Sequence, residues 1–244
     1  DDDIIDGSIN TTITLAVVDG SSDNNFDPLA NQTVTAATAD NDSAGFTVTE
    51  SSGSTAVTEG GGTDTFTVVL TTQPDSNVVI SVVSADTGEA TVSAASLTFT
   101  TGNWDSAQTI TVTGVDDDII DGSINTTITL AVVDGSSDNN FDPLANQTVT
   151  AATADNDSAG FTKSKSTVSV SETGTTDTFT VVLNIEPASD VVISVVSADT
   201  GEATVSASTL TFTSGNWDSA QTITVTGVDD DTVDGSQDTT ITLA

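Results

Sequence analysis

The 244-residue chain carries 37 acidic side chains against two basic ones, Lys163 and Lys165, for a formal net charge of -35. That balance sets it against nucleic acid and anionic membranes, which select basic surfaces. With no Cys and no His, a disulfide framework, a Cys/His zinc site and a Cys- or His-based catalytic apparatus are all excluded.

High net charge marks disorder when apolar residues are scarce. Here hydrophobic residues make up 35%, and Val, Ile, Thr and Phe dominate the segments between loops, which favours strands. No apolar run approaches the ~18 residues that would span a bilayer, and no signal peptide opens the chain. The first residue already lies inside a motif, so the chain reads as a piece of something longer.

In chain order the first feature is a repeat. Residues 1–47 recur unchanged at 116–162, an offset of 115. VVISVVSADTGEATVSA at 78–94 recurs at 191–207, and GNWDSAQTITVTGVDDD at 102–118 recurs at 215–231, both at an offset of 113. The two-residue difference falls between Phe46 and Phe66. One unit is therefore about 115 residues, an ordinary domain size. We expect residues 1–44 to be the C-terminal part of one repeat, 45–158 a complete repeat, and 159–244 the N-terminal part of a further one. A window of a long tandem array gives this pattern; head-to-tail complementation between neighbouring chains is the alternative.

Within the complete repeat, a strand is expected at 46–50 or 55–59. Others follow at 63–70, 78–85, 97–100, 108–115, 126–133 and 147–154. In 108–115, Ile110 and Val112 face one way while Thr109, Thr111 and Thr113 face the other, the period of a half-buried antiparallel strand. Turn-rich pieces such as QPDSN, TTGNWDS and DGSSDNNFDPLAN separate the runs, and no helical period persists. About seven short strands at this spacing predict an all-β chain of tandem immunoglobulin-like antiparallel sandwiches. Phe66, Phe99 and Trp104, with Phe179, Phe212 and Trp217 in the next repeat, are the expected core anchors.

The segment VTGVDDDIIDGSINTTITL at 112–130 sets Asp116, Asp117, Asp118 and Asp121 close together with no cation near them in sequence. The cluster recurs at 1–6 and 229–234. Side-chain oxygens crowded into a turn suit calcium, a hard cation taking six to eight oxygen ligands, better than magnesium, which holds a stricter octahedron and more of its water. Without an ion, the carboxylates repel one another. The pattern is not an EF-hand loop, because the alternating ligands and closing Glu are missing.

VTEGGGTDTFTVVL, TITVTGVDDDIIDGSINTTITL and TVTAATADND, in that order, resemble a Calx-β domain. That is the fold of calcium-sensing domains of sodium–calcium exchangers, common also in very large bacterial surface proteins. The resemblance implies a calcium site at one end of the sandwich. Its implied ligands are an early Glu (Glu59, with Glu172 in the next repeat) and a mid-domain Asp (Asp86, with Asp199). The acid triplet follows as Asp116, Asp117 and Asp118, matched by Asp229, Asp230 and Asp231 and by Asp1, Asp2 and Asp3. The acidic end of the last strand supplies Asp155 and Asp157, matched by Asp40 and Asp42. Where exchangers tend to have Glu after the triplet, this chain has Asp121 and Asp234, shorter side chains expected to reach an ion through water.

The DNNFDP loop, with Asp138, Asn140 and Asp142, is a second candidate ion site or an ordinary polar loop. Glu89 and Asp64 read as surface charges. Lys163 and Lys165 either pair with neighbouring acids near a junction or stand exposed. The sequons at Asn10, Asn31, Asn41, Asn125, Asn146 and Asn156 matter only if the cell glycosylates its surface proteins. The functional expectation is a non-enzymatic structural segment of an extracellular adhesin or cell-surface filament. Ca2+ at acidic loops near the junctions would stiffen it, with neighbouring repeats as its partners. The alternative is a glycan- or protein-binding module.

Overall fold

The computed structural model describes residues 2–233 and 235–244. Asp1, one of the implied ligands, and Asp234 lie outside the described residues. Contacts divide the chain into two compact units. One comprises Asp1–Val115 and Asn125–Thr153; the other comprises Asp116–Ile124 and Ala154–Ala244.

The first unit opens with a hairpin of β1 (Ile9–Leu15) and β2 (Gln32–Thr38). Then come β3 (Phe46–Glu50), a 3-10 turn at Ser51–Gly53, β4 (Thr55–Thr58), β5 (Thr63–Leu70), β6 (Val78–Ser84) and β7 (Ala90–Val92). β8 (Ser96–Phe99), β9 (Gln108–Gly114), β10 (Ile124–Val132) and β11 (Gln147–Ala154) complete the set. A four-stranded sheet in the order β3-β5-β9-β7 and a five-stranded sheet in the order β4-β11-β10-β6-β8 share one core. Both expected positions for the first strand are occupied, 46–50 in one sheet and 55–58 in the other. Ala90–Val92 was not expected as a strand, because three residues after a turn show too little alternation to read.

Alternation does set the faces. In β9, Ile110 and Val112 are buried while Thr109 is exposed. In β5, Phe66 and Val68 are buried opposite them, with Phe66 in register with Ile110. Phe66, Phe99 and Phe141 are wholly buried, and Trp104 packs against the same cluster. Each fully buried Phe contributes about 2–3 kcal/mol of apolar transfer. Close packing extends to the backbone at Gly114, the last residue of β9, where an added Cβ would stand 2.2 Å from the carbonyl oxygen of Thr58. Gly227, its repeat counterpart, would meet Ser171 O at 2.1 Å. Gly114→Ala is therefore expected to cost about 3 kcal/mol through overpacking, read as a lowered denaturant midpoint.

The second unit contains β12 (Phe161–Lys163), β13 (Thr176–Leu183), β14 (Val191–Ser197), β15 (Ala203–Val205), β16 (Thr209–Phe212), β17 (Gln221–Gly227) and β18 (Ile241–Leu243). They form a four-stranded sheet, β12-β13-β17-β15, and a three-stranded sheet, β16-β14-β18, around Phe179, Phe212 and Ile223, with Trp217 against them. Residues 168–171, the counterpart of β4, form no strand. In the first unit β4 is paired with β11 alone. An extended segment without a hydrogen-bonding neighbour is not held as a strand.

The β1–β2 hairpin makes the same point. Its seven register pairs join two strands in which every residue is exposed. The identical sequence in β10 and β11 buries Ile128, Leu130, Val149 and Ala151 almost completely.

Candidate metal centre

After β9 the chain leaves the sheet and enters the acid triplet. In the second unit this loop lies beside the acidic segment that follows β11, and the two share hydrogen bonds. Asp155 accepts the Gly122 amide at 2.9 Å through Oδ2 and the Asp157 amide at 2.7 Å through Oδ1. The Asp157 amide first, then that of Gly122, hold the Asp155 carboxyl below the usual carboxylate range, against a smaller opposing effect of burial. Asp155 is thus oriented and ionised.

Asp157 is the opposite case. Burial first, then the charges of Asp155, Asp118, Asp116 and Asp117, push its carboxyl up. Its Oδ2 is shielded from solvent and has no hydrogen-bond partner. Asn156 donates to Asp116 Oδ1 at 2.9 Å, and the Ile119 amide donates to Asp117 Oδ1 at 2.8 Å. Carboxylate oxygens of Asp155 and Asp157 lie within 4.8 Å of one another, as do those of Asp117 and Asp121. The spacing suits two oxygens sharing one cation.

The arrangement recurs in the first unit. Asp40 accepts the Gly7 and Asp42 amides, each at 2.8 Å. The Asp42 amide, then that of Gly7, lower its carboxyl, whereas burial and then Asp40, Asp3, Asp2 and Asp6 raise that of Asp42. Asp2, Asp6, Asp40 and Asp42 line a recess of 280 Å³. The third copy, Asp229 to Asp231, keeps the local turn, with the Thr232 amide donating to Asp230 Oδ1 at 2.7 Å; the chain holds no counterpart of Asp155 and Asp157 for it.

The implied glutamates sit in protected places. Glu59 is 5% exposed. Glu172, its counterpart, is half-buried and lines a 430 Å³ recess in the second unit that Glu202 also lines. Glu202 is the repeat counterpart of Glu89, which the sequence reading placed on the surface, and one Glu89 carboxylate oxygen is in fact shielded from solvent. Nothing in the surrounding SADTGEATV marks that glutamate, because the turn before it looks like any solvated turn. Asp86 and Asp199 are exposed and stabilise their own turns, accepting the Gly88 amide at 2.9 Å and the Gly201 amide at 2.8 Å.

One other sequence reading changes, and the DNNFDP loop gains detail. Asp64 is no idle surface charge: it accepts Ser51 Oγ, the Ala56 amide at 2.9 Å and the Thr65 amide at 2.7 Å, and these bonds lower its carboxyl. In the DNNFDP loop, Asp138 Oδ2 accepts the amides of Asp75 at 2.6 Å and Ser76 at 3.1 Å, and Oδ1 accepts that of Asn140 at 2.9 Å. Both oxygens are committed to the turn, which seats Phe141 in the core.

Lys165 pairs with Asp177 at 2.5 Å. Its hydrogen bond, followed by the amides of Thr178 and Ser169, brings Asp177 down to about 2. The ionised form is the favoured one, so the stability this pair contributes is present above the unfolded carboxyl value and is lost as pH falls through about 2. In Lys165→Ala, the Asp177 carboxyl is expected to titrate nearer its ordinary value, as read by carboxyl NMR shifts.

A family profile described as the Calx-beta domain matches residues 39–157 and 153–244. Among solved structures, domains 4 and 5 of the S-layer protein SbsC are 24% identical, covering 50% of this chain and 52% of that one, with a TM-score of 0.32. The chain thus spans about half the length of that structure. The apo form of the Calx CBD1 domain is 18% identical over 46% of this chain and 98% of its own, with a TM-score of 0.35. Domains 4–9 of SbsC are 19% identical over 88% of this chain and 31% of theirs, with a TM-score of 0.34. No curated protein matched the chain.

Proposed function

Because the chain belongs to the Calx-beta domain family, we propose that it is a structural repeat segment of an extracellular adhesin or surface filament, an elongated stalk stiffened by Ca2+ at its acidic loops. The observation that carries this reading is Asp157. A carboxylate oxygen shielded from water, without a hydrogen bond, amid four further acids is costly unless a cation or a proton neutralises it. The donor set is all oxygen, which fits calcium. In this reading Asp155 and Asp157 hold the ion, and Asp116, Asp117, Asp118 and Asp121 join from the loop; Glu59 stays a ligand that the family resemblance implies. Glu202 is added beside Glu172 in the next repeat, because both line one recess. Asp2, Asp3, Asp40 and Asp42 repeat the site, and Glu172, Asp229, Asp230 and Asp231 belong to the next. Asp86 and Asp199 remain the mid-domain ligands that the resemblance implies.

A bound calcium ion supplies the positive charge that lets these carboxylates stay ionised side by side. The chain's own groups prepare for it. Backbone amides aim Asp155, and the short path from the triplet to Gly122 brings the loop acids to it. Of the aromatics of the complete repeat, Phe46, Phe66, Phe99 and Phe141 are buried and Trp104, partly buried, packs against the same core, so they present no exposed platform for a glycan, and the stalk is the better-supported reading. Small-angle scattering of a multi-repeat chain in calcium and then in chelator tests it. A longer, stiffer particle in calcium is expected; unchanged dimensions contradict it.

The raised Asp157 carboxyl gives a prediction with opposite signs. In chelator, the proton stabilises the fold, so this group's contribution is present at acid pH and is lost as pH rises through its folded value. Asp157→Asn removes that repulsion and should raise the chelated Tm. In calcium the same variant should bind the ion about tenfold more weakly, since a ligand oxygen is gone. Thermal scans with and without calcium read both signs.

A further inference from the structure

We infer that the two residues after the acid triplet, with the carbonyl of its third Asp, are a latch that seats one repeat on a turn of the next. The partner is thus the neighbouring copy of the same repeat. This rests on the tandem-stalk reading but uses no metal. The contact occurs twice, at positions related by the repeat. In the first unit the Gln73 amide donates to Asp3 O at 2.7 Å, and Ile4 and Gln73 form a parallel β-bridge. In the second unit the Glu186 amide donates to Asp118 O at 2.9 Å. Gln73 and Glu186 are counterparts at the 113-residue offset, as Asp3 and Asp118 are at 115. Both donors precede a proline, Pro74 and Pro187, which holds them extended and ready to bridge a passing strand.

The side chains fit the same account. Ile119 and Ile120 line a cavity of 440 Å³ with Phe161, Leu183, Ile185 and Pro187. Leu183 and Ile185 are 8% and 9% exposed, so the seat is firm. Its turn is pinned by the Asn184 amide donating to Gly160 O at 2.9 Å, matched by Thr71 to Gly45 at 2.9 Å. A Cβ on Gly160 would stand 2.8 Å from Asn184 Nδ2, and one on Gly45 would stand 2.8 Å from Thr71 Oγ1, so these side chains lie close over both glycines where the seat begins. Val233, counterpart of Ile120, has no seat among the described residues and is 103% exposed. The loop is therefore two-sided. Its carboxylates act on Asp157, while the carbonyl of Asp118 and the two isoleucines engage the following turn.

The test is amide hydrogen exchange of the full chain in chelator, comparing wild type with Ile119→Ser/Ile120→Ser. Both isoleucines are about half exposed and belong to neither core cluster, so the variant folds. Protection of the Glu186 amide should fall about tenfold or more as local opening becomes easier, while that of Gln73, held by the untouched Ile4 latch, stays as it was. Unchanged Glu186 protection overturns the latch. Because calcium is absent throughout, failure of the calcium reading leaves this outcome intact, and calcium titration of the same variant tests that reading separately.

Discussion

Transfer of the chain from millimolar calcium to chelator is expected to lower its thermal midpoint by about 10 °C. An ion that binds the folded state alone stabilises it by RT ln(1 + [L]/Kd), about 2.7 kcal/mol at a hundred times Kd. For a domain of about 115 residues, between the small and large size classes, each kcal/mol moves Tm by roughly 4 °C. The unfolded chain, with its acids spread apart, offers no comparable site, so most of the binding energy appears as stability. The effect should be absent in Asp155→Asn/Asp157→Asn, which keeps size and removes both negative charges and one oxygen from each carboxylate. Sodium chloride at matched ionic strength is the control. General screening relieves part of the -35 charge, but it does not depend on those two residues. Differential scanning calorimetry reads all of these states.

The second large effect separates two residues with the same sequence around them. Phe141→Ala should cost about 3–5 kcal/mol, as large-to-small changes at fully buried aromatics do. Phe26→Ala, in the identical DNNFDPLAN of the first 47 residues, should be nearly silent when residues 1–244 are produced by themselves. Phe141 is wholly buried and packs in the main cluster, whereas Phe26 is 56% exposed. Denaturant melts of the two variants check this, and equal costs would mean that the hairpin has found a core.

That pair also shows how far residue order carries. Alternation and turn chemistry located the strands at 63–70, 78–85, 108–115 and 147–154, and correctly made Phe66 and Phe99 core. They were blind to what covers a strand. Ile13 and Ile128 sit in the same INTTITL, yet Ile13 is 52% exposed and Ile128 is wholly buried. Burial belongs to the sheet that a strand joins, which a local pattern does not contain. For the same reason residues 168–171 match β4 in alternation and form no strand. At the acidic sites, the clustering of Asp116, Asp117, Asp118 and Asp121 was visible in the sequence because the residues are neighbours. Their meeting with Asp155 and Asp157 was visible only through family resemblance, since β10, β11 and the loop between them separate the two groups. Glu89 and Asp64 were misread because a lone acid beside a turn looks the same whether it faces water or accepts amides. The Ile119–Ile120 latch was passed over because two apolar residues after three acids read as part of the loop, not as a contact.

Anomalous diffraction at a long wavelength, from crystals grown in calcium, tests the central claim most directly. A peak within bonding distance of Asp155 and Asp157, repeated beside Asp40 and Asp42, is the predicted result. Ordered carboxylates surrounded by water alone, with no anomalous signal at either place, would contradict it.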